Sequence, residues 1–349
     1  MICYKNIFED IISMENLLLA WDEFKKGKRE KLDVQKFEFR LEDNLFQLHQ
    51  DLKNKKYKHN EYFGFYIYDP KKRHIHKATV RDRIVHHAIH RKLYPIFNPT
   101  FIFALYSSRK EKGVHRAIVK LDNMLRTVYQ TCGKCFVLKC DIKKFFPTID
   151  HKILVKIISK RIKDKNALWL IKKIIKGFES EFTTQKNKKG VPIGNLTSQL
   201  FVNIYMNEMD QFIKNQIKAK YYIRYADDFI IVHYDQNYLG QLKKKIEIYL
   251  REELKLLMHP KKVTIRKYYQ GVDFLGYVIL PKAIVLRTKT KKRIFRKLKQ
   301  RVKEYKQEKI DEKSLIQSLN SYLGVLSHSN SYNLEQKLRH KMWEWLKES

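Results

Sequence analysis

The sequence predicts an α+β protein organised around an antiparallel sheet. Strand-forming residues flank two adjacent carboxylates in Tyr222–Val232. Asp is depleted in strands and tolerated in turns, so this stretch is predicted to be a hairpin whose turn holds Asp227 and Asp228. A second apolar stretch, Phe136–Ile142, reads as a buried strand that carries Asp141 at its end. Apolar residues at helical spacing fill most of the remaining chain, which indicates helices around this sheet.

The first part of the chain is predicted to be helical and then to form a basic hairpin. Apolar positions recur at helical spacing up to about residue 60. Residues then alternate as a strand from Tyr62 to Tyr68, a turn follows at Asp69–Lys72, and a second strand runs from Arg73 to Ala78. Helices are predicted over 80–97, with Arg81 and Arg83 turned outward, and over 114–129.

The elements after the Asp141 strand are predicted in the same way, from helical spacing of apolar residues and from strand-like stretches. A loop at 190–199 is expected to lead into a helix that begins at Leu200. A strand is expected at Val272–Tyr277. The remaining predicted elements are helices within 151–178, a helix over 200–216, the hairpin at 221–234, a helix over 239–257, strands at 263–267 and 283–286, and a helical tail from 287.

The charge of the chain indicates a polyanionic partner. Lys and Arg number 73 and Asp and Glu 37 in 349 residues, a net charge of +36. Such self-repulsion is relieved when a polyanion neutralises it, and nucleic acid is favoured over an anionic membrane because the positive charge runs along the whole chain. With 44% hydrophobic residues, the chain is expected to fold and not to be a basic disordered tail.

The location is predicted to be cytoplasmic. The chain has no run of 18 apolar residues, and acidic residues stand where a signal peptide would be basic and then apolar. The cysteines, Cys3, Cys132, Cys135 and Cys140, fit a reducing compartment. The spacing of Cys132 and Cys135 is that of a zinc knuckle, but no second pair follows, so we do not favour zinc.

Three carboxylates are candidates for a metal-dependent active site. Two carboxylates about 4 Å apart repel by roughly 4 kcal/mol at an effective dielectric of 20, a conflict that a divalent cation removes. If the two strands lie side by side, Asp141 would join Asp227 and Asp228 to hold two Mg²⁺ ions. The alternative for Asp227 and Asp228 alone is an ordinary Asp-Asp turn. The chain order of strand, helices, loop with helix, and hairpin is that of a polymerase palm.

These motifs resemble the reverse transcriptases over nearly the whole chain. Tyr225–Asp228 is similar to the family's hairpin motif, Asp141–Phe146 to its first metal-binding strand, and Gly190–Gly194 to its nucleotide-binding loop. Lys262 stands where the family keeps a lysine, and Phe274–Gly276 is similar to its primer-grip hairpin. The resemblance implies a right-hand polymerase with fingers, a palm containing the antiparallel sheet and a helical thumb, preceded by a helical extension. The implied segments are 1–60 (extension), 61–135 (fingers), 136–285 (palm, with a helical insert at 151–189) and 286–349 (thumb).

The resemblance implies roles for individual residues at the catalytic centre. Asp141 and Asp227 would bind the metal ions, with the Ile142 carbonyl assisting and Asp228 supporting them. Lys262 would protonate the leaving pyrophosphate, although a solvated lysine is the simpler alternative.

Other implied roles concern the nucleotide and the nucleic acid. Phe146 would block a 2′-hydroxyl, although a merely buried aromatic is the alternative, and Arg73, with Lys71 or Lys72 beside it, would bind the triphosphate. Phe274, Leu275 and Gly276 would form the primer grip. The basic tail helix would contact nucleic-acid phosphates through a charged surface. Its predicted members are Arg287, Lys289, Lys291, Lys292, Arg293, Arg296 and Lys297.

One position departs from the wider family and indicates a subgroup. Many relatives carry Gln where this chain has Ile193 in the nucleotide-binding loop, near the nascent base pair. Ile193 together with Gly194–Gln199 resembles the reverse transcriptases of diversity-generating retroelements, as do Ser107–His115 and Arg287–Lys292. The resemblance implies error-prone copying at template adenines, known as mutagenic retrohoming.

The resemblance also implies the partners. They are a template RNA with its cDNA or primer, dNTPs and a small basic accessory protein, without a membrane, in a protein encoded by a bacterium, an archaeon or a phage. Two alternatives stay open at this point. One is a reverse transcriptase of a retron, a phage-defence system or an intron-derived lineage. The other, from a different functional class, is a non-catalytic RNA-binding scaffold.

Overall fold

The fold, described for residues 2–348 in a computed structural model, combines helices with three small sheets. The helices are α1 (Phe8–Ile12), α2 (Met14–Lys25), α3 (Leu32–Glu38), α4 (Leu41–Lys53), α5 (Val80–Phe97), α6 (Val114–Cys132), α7 (Phe145–Thr148), α8 (His151–Arg161), α9 (Lys165–Lys176), α10 (Leu196–Gln211), α11 (Gln236–Glu252), α12 (Thr288–Lys306), α13 (Glu312–Leu326) and α14 (Tyr332–Lys347). The strands are β1 (Phe63–Ile67), β2 (Arg73–Lys77), β3 (Phe136–Asp141), β4 (Tyr221–Tyr225), β5 (Asp228–His233), β6 (Thr264–Lys267), β7 (Val272–Phe274), β8 (Tyr277–Ile279) and β9 (Ile284–Leu286). None of the described helices is long and apolar enough to cross a membrane.

The sheets place the carboxylate-bearing strands next to each other. β1 and β2 pair antiparallel, with Ile67 opposite Arg73. A four-stranded sheet has the order β4-β5-β3-β6, so β5 and β3 are direct neighbours. A third sheet has the order β7-β8-β9 with antiparallel pairs.

The chain divides into two compact units, each with its own core. The first contains the residues up to Lys110, Cys140–Phe229 and Leu242–Val263, and the second contains Glu111–Lys139, Ile230–Gln241 and the chain from Thr264 onward. The four segments predicted from the sequence stay a prediction.

In the first unit, helix α5 packs against both α2 and α10. Apolar residues of α5 that recur at helical spacing, Ile84, Ala88 and Leu93, are fully buried or nearly so. The side chain of Thr79 caps the start of α5 by accepting a hydrogen bond from the Asp82 backbone N–H. The predicted helix over 80–97 is therefore confirmed.

The second unit contains a three-helix cluster of α12, α13 and α14. Ile294, Leu298 and Val302, which recur at helical spacing, form one buried stripe of α12 and pack with Leu319 and Leu338 of the other two helices. The opposite face of α12 is polar and basic, so a single stripe holds the helix in the cluster.

Four predictions about local structure are corrected. Helix α10 begins at Leu196 and not at Leu200. Thr197 and Ser198 belong to residue types that favour loops, but here they are buried in the first turn of the helix. Asp228 is the first residue of β5 and lies outside the turn, which consists of Ala226 and Asp227.

The other two corrections concern Arg83 and the predicted strand at 272–277. Arg83 is not turned out to solvent: its guanidinium binds the Asp33 carboxylate at 2.9 Å and lies over the Phe24 ring. The strand is split into β7 and β8, since Leu275 and Gly276 both have positive φ and form a turn.

Candidate active site

Asp141 is held at the end of β3 by a neighbouring stretch of backbone. The Asp141 carbonyl accepts a hydrogen bond from the His259 N–H at 2.7 Å, and the Lys143 N–H donates to the Leu257 carbonyl at 2.8 Å. This pairing brings Lys262 over Asp141. The Lys262 ammonium lies 2.9 Å from Oδ1 and 3.1 Å from Oδ2 of the Asp141 carboxylate.

The second candidate carboxylate, Asp227, lies in the tight turn between β4 and β5. Ala226, the other turn residue, has φ +55°, in the left-handed region that costs a non-glycine residue roughly 1–2 kcal/mol. Buried Ile223 and Phe229 anchor the strands on either side. Apolar strand residues therefore fix the hairpin, and the strained turn carries the acid.

Asp227 lies near Asp141, because β3, which ends at Asp141, is the direct neighbour of β5, which begins just after Asp227. Burial raises the pKa of Asp227, and the negative charge of Asp141 raises it further, whereas Lys262 and Arg73 lower it. The structure therefore brings together Asp141, Asp227, Lys262 and Arg73, which lie far apart in sequence.

The chemistry of this group fits a divalent cation bound with substrate. Among the residues that the structure describes, no three His, Cys, Asp or Glu side chains are grouped closely enough to hold a metal ion by themselves. Mg²⁺, however, is usually held by one or two carboxylates and completes its shell with water and substrate phosphates. The negative charge of Asp141 raises the pKa of Asp227, and the Asp141 carboxylate also binds the Lys262 ammonium, so the two acids form a suitable oxygen donor set.

The predicted nucleotide-binding loop is joined to the β1–β2 hairpin by hydrogen bonds. The His76 N–H donates to the Ile193 carbonyl at 3.1 Å, and Asn195 Nδ2 donates to the His76 carbonyl at 3.0 Å. Gly194 has φ +112°, and a Cβ there would lie 3.0 Å from Ile75 Cγ2. Glycine is required at 194 both by the backbone conformation and by this close approach.

The backbone of Phe146 is hydrogen-bonded to the same loop. It lies in α7, half-buried, and its carbonyl accepts a hydrogen bond from the Val191 N–H at 3.0 Å. Its ring packs edge-on against the buried Phe145 ring, with centroids 5.6 Å apart. The backbone of Phe146 is therefore linked to the loop that contains Ile193.

Four other residues predicted to bind the nucleotide also lie in this unit. Lys71 and Lys72 lie in the β1–β2 turn, where the Lys72 ammonium sits 4.6 Å from the centroid of the Tyr66 ring. Ile142 is buried and forms a backbone bridge with Met258. Gln199 is exposed in the first turn of α10.

The predicted primer-grip and thumb residues lie in the second unit. Phe274 is fully buried at the end of β7, and the Gly276 carbonyl accepts a hydrogen bond from the Arg287 N–H at 3.0 Å. Arg287 also pairs with the Asp273 carboxylate, and Arg293 is half-buried on α12. The predicted basic residues that are exposed on α12 are Lys289, Lys291, Lys292, Arg296 and Lys297.

Sequence reasoning missed a buried polar network beneath the hairpin. Arg224 and Asp210 are both fully buried and form an ion pair, with 2.5 Å between Arg224 Nη2 and Asp210 Oδ2. Asn203 and Ser107 are buried beside them. A usable signal was present, because a charged residue such as Arg224 in the middle of an apolar strand needs a buried partner.

Comparison with known proteins identifies one matching family and several similar proteins. The family model described as "Reverse transcriptase (RNA-dependent DNA polymerase)" matches residues 55–279. Protein YkfC of Escherichia coli (strain K12) is 29% identical over 237 residues, which cover 58% of this chain and 62% of that protein. The Group II intron-encoded protein LtrA of Lactococcus lactis subsp. cremoris is 25% identical over 266 residues, covering 58% of this chain and 43% of that protein. The aligned regions thus span less than two thirds of either relative.

Proposed function

Because the chain belongs to the reverse transcriptase family, we propose that it is an RNA-directed DNA polymerase that copies an RNA template into cDNA. The observation that carries the proposal is the meeting of Asp141, Asp227, Lys262 and Arg73 at one place, with two acids whose repulsion a cation relieves. Reverse transcriptases generally use divalent metal ions, and we propose two Mg²⁺ ions here, held by Asp141 and Asp227 with the Ile142 carbonyl, while Asp228 supports them.

Bound metal ions would activate the primer 3′-hydroxyl and stabilise the charge that develops on the leaving pyrophosphate. Around this centre, Arg73 would bind the triphosphate through the fork of its guanidinium, and the Phe146 ring would exclude a 2′-hydroxyl. Lys262 is partly exposed, and its flexible side chain would move from Asp141 to the pyrophosphate and give it a proton.

The template and the cDNA would be held mainly by charge. The exposed lysines and arginines of α12 present positive charge along a helix whose other face is buried in the cluster of the second unit. Contacts of this kind read the phosphate backbone without reading sequence, so the affinity for an RNA–DNA duplex should fall steeply as salt rises.

Within the family, we favour a polymerase of a diversity-generating retroelement. Ile193 supports this assignment, because its carbonyl is anchored to β2 and its aliphatic side chain cannot form hydrogen bonds near the nascent base pair. In this role the enzyme would copy a template-repeat RNA with frequent errors at adenines and would work with a small basic accessory protein.

A second candidate function is that of an intron-derived reverse transcriptase. Its specific support is the similarity to the Group II intron-encoded protein LtrA. The error spectrum discriminates the two: errors concentrated at template adenines favour the retroelement, and an even spectrum favours the intron lineage.

The test of the proposed chemistry is primer extension on an RNA template with dNTPs and Mg²⁺. Wild type should extend the primer, and Asp227→Asn should lose about 100- to 1,000-fold in rate, because a charge-stabilising ligand at the reacting centre is removed. Asp235→Asn is the matched control: Asp235 is exposed and caps α11, a role that Asn also performs. A folded wild-type protein that binds RNA but extends no primer would instead indicate a non-catalytic RNA-binding scaffold.

A further inference from the structure

The turn that carries Asp227 is held from both sides by side chains outside the turn. The Ala226 N–H donates a hydrogen bond to Ser107 Oγ at 2.9 Å. The Ala226 carbonyl accepts one from Arg224 Nη1 at 3.0 Å. Both backbone polar groups of this left-handed residue are thus bonded to side chains that lie beneath the hairpin.

Arg224 is itself fixed by α10. Its Nε lies 2.8 Å from Asp210 Oδ1 and its Nη2 2.5 Å from Asp210 Oδ2, which is a bidentate pair. The Tyr222 hydroxyl also donates to Asp210 Oδ1 at 2.7 Å. Because planar bidentate pairing fixes both position and orientation, the Arg224 guanidinium has little freedom to leave Ala226.

Ser107 is fixed by α10 as well. Its hydroxyl donates to Asn203 Oδ1 at 3.2 Å, and Asn203 Nδ2 donates to the Ser107 carbonyl at 3.0 Å. The segment before Ser107 runs beside β4, since the Arg224 N–H donates to the Ala104 carbonyl and the Tyr106 N–H to the Arg224 carbonyl, each at 3.0 Å. The Ser107 hydroxyl is therefore an oriented acceptor for the Ala226 amide.

We propose that Ser107, Asn203 and Arg224 are positioning residues that keep Ala226 left-handed, so that the Asp227 carboxylate stays beside Asp141. The inference rests on the proposed function. Ala does not favour this conformation by itself, and any other conformation of the turn would leave buried donors and acceptors of the network without partners. The peptide that follows Ala226 bears Asp227, so the network sets where that acid points.

The test compares three substitutions of Ser107. Ser107→Ala removes the acceptor, Ser107→Cys keeps the volume but offers only a weakly accepting sulfur, and Ser107→Thr keeps the hydroxyl. Ser107→Cys also keeps the site filled if Ser107→Ala folds poorly. Ser108→Ala, at the exposed neighbouring position, is the matched control.

Two readouts separate positioning from folding. Hydrogen exchange at the Ala226 amide should accelerate in Ser107→Ala and Ser107→Cys, while the amides of β4 and β5 keep their protection. In primer extension the kcat of these two variants should fall by up to about 100-fold, because a small misplacement of a catalytic group has this effect. The Mg²⁺ concentration for half-maximal rate should rise in both variants, KM for primer–template should stay unchanged, and Ser107→Thr should recover most of the activity.

The outcomes distinguish this inference from the proposed function. If wild type extends primers and Ser107→Ala matches it in kcat and Mg²⁺ requirement, or if Ala226 exchange does not change, the positioning role is wrong. If wild type extends no primer, the proposed function fails, and Mn²⁺ binding measured by electron paramagnetic resonance decides the positioning role. Weaker Mn²⁺ binding in Ser107→Ala and Ser107→Cys supports the role, and equal binding in all variants overturns it.

Discussion

The Lys262 ammonium binds both carboxylate oxygens of Asp141, at 2.9 and 3.1 Å, across 121 residues of sequence. The same ammonium lowers the pKa of Asp227, which burial and Asp141 raise. One lysine therefore offsets the charge of two acids, one at the end of β3 and one in the turn between β4 and β5. This relationship links the stability of the metal-free protein to the residues proposed for catalysis.

The stability of the protein without divalent ions should depend on pH through the Asp227 carboxyl. A carboxyl whose pKa is raised by folding is better protonated in the folded state, so its contribution to stability is lost as the pH rises from its ordinary value through the raised one. Lys262→Gln removes a charge that lowers this pKa, so the variant should be less stable than wild type at neutral pH. The difference should disappear in acid, where the Asp227 carboxyl is protonated in both proteins.

Thermal melting without divalent ions, at neutral and acidic pH, measures this effect. Lys261→Gln is the control, since Lys261 is an exposed neighbour of the same charge. A constant difference in melting temperature between Lys262→Gln and wild type at every pH would contradict the assignment to Asp227.

Lys262→Gln should also slow the chemical step. A positioned general acid contributes about 100- to 10,000-fold, so single-nucleotide incorporation at saturating dNTP should fall within that range. Gln has no proton to give to the leaving pyrophosphate. Rapid-quench kinetics measure the rate, and a rate equal to that of Lys261→Gln would show that Lys262 is only a counter-ion of Asp141.

Phe146→Ala should admit ribonucleotides. Removing the half-buried ring opens space next to the loop that its carbonyl binds, and discrimination by size alone is worth roughly 10- to 200-fold. The ratio of kcat/KM for ribonucleotides and deoxynucleotides should rise by about that factor in primer extension. Phe182→Ala, which also removes a partly buried ring, should leave the ratio unchanged. If Phe146→Ala still rejects ribonucleotides, Phe146 is not the gate.

Ile193→Gln should reduce misincorporation opposite template adenine. The Ile193 backbone is anchored to His76, so the substitution changes the side chain without freeing the loop. In the proposed nucleotide-binding loop, a Gln amide would form hydrogen bonds near the nascent base pair that Ile cannot. Deep sequencing of cDNA from both proteins measures the error rate at each template base, with Ile193→Leu as the aliphatic control. Equal adenine error rates in all three would remove Ile193 from the account of fidelity.

Much of the fold could be predicted because local pattern and tertiary structure agree. The strands predicted over 62–68 and 73–78 are found at 63–67 and 73–77, and the apolar stretches beside Asp141 and Asp227 are the strands that end at Asp141 and flank the Asp227 turn. The errors came from residues whose partners are distant. Thr197 was predicted to lie in a loop but is in a helix, where its hydroxyl lies 2.5 Å from His86 Nδ1, and Arg83 was predicted to be solvated but binds Asp33.

The sequence by itself determined the family and most of the strands, because motif order and hydrophobic periodicity are local properties of the chain. Only the tertiary structure decided that Lys262 pairs with Asp141 and that Ser107 and Arg224 hold Ala226 in a left-handed turn. Side chains such as Arg224 find their partners through burial, where an unpaired charge is costly. The spacing of such residues in the sequence does not indicate that they are in contact.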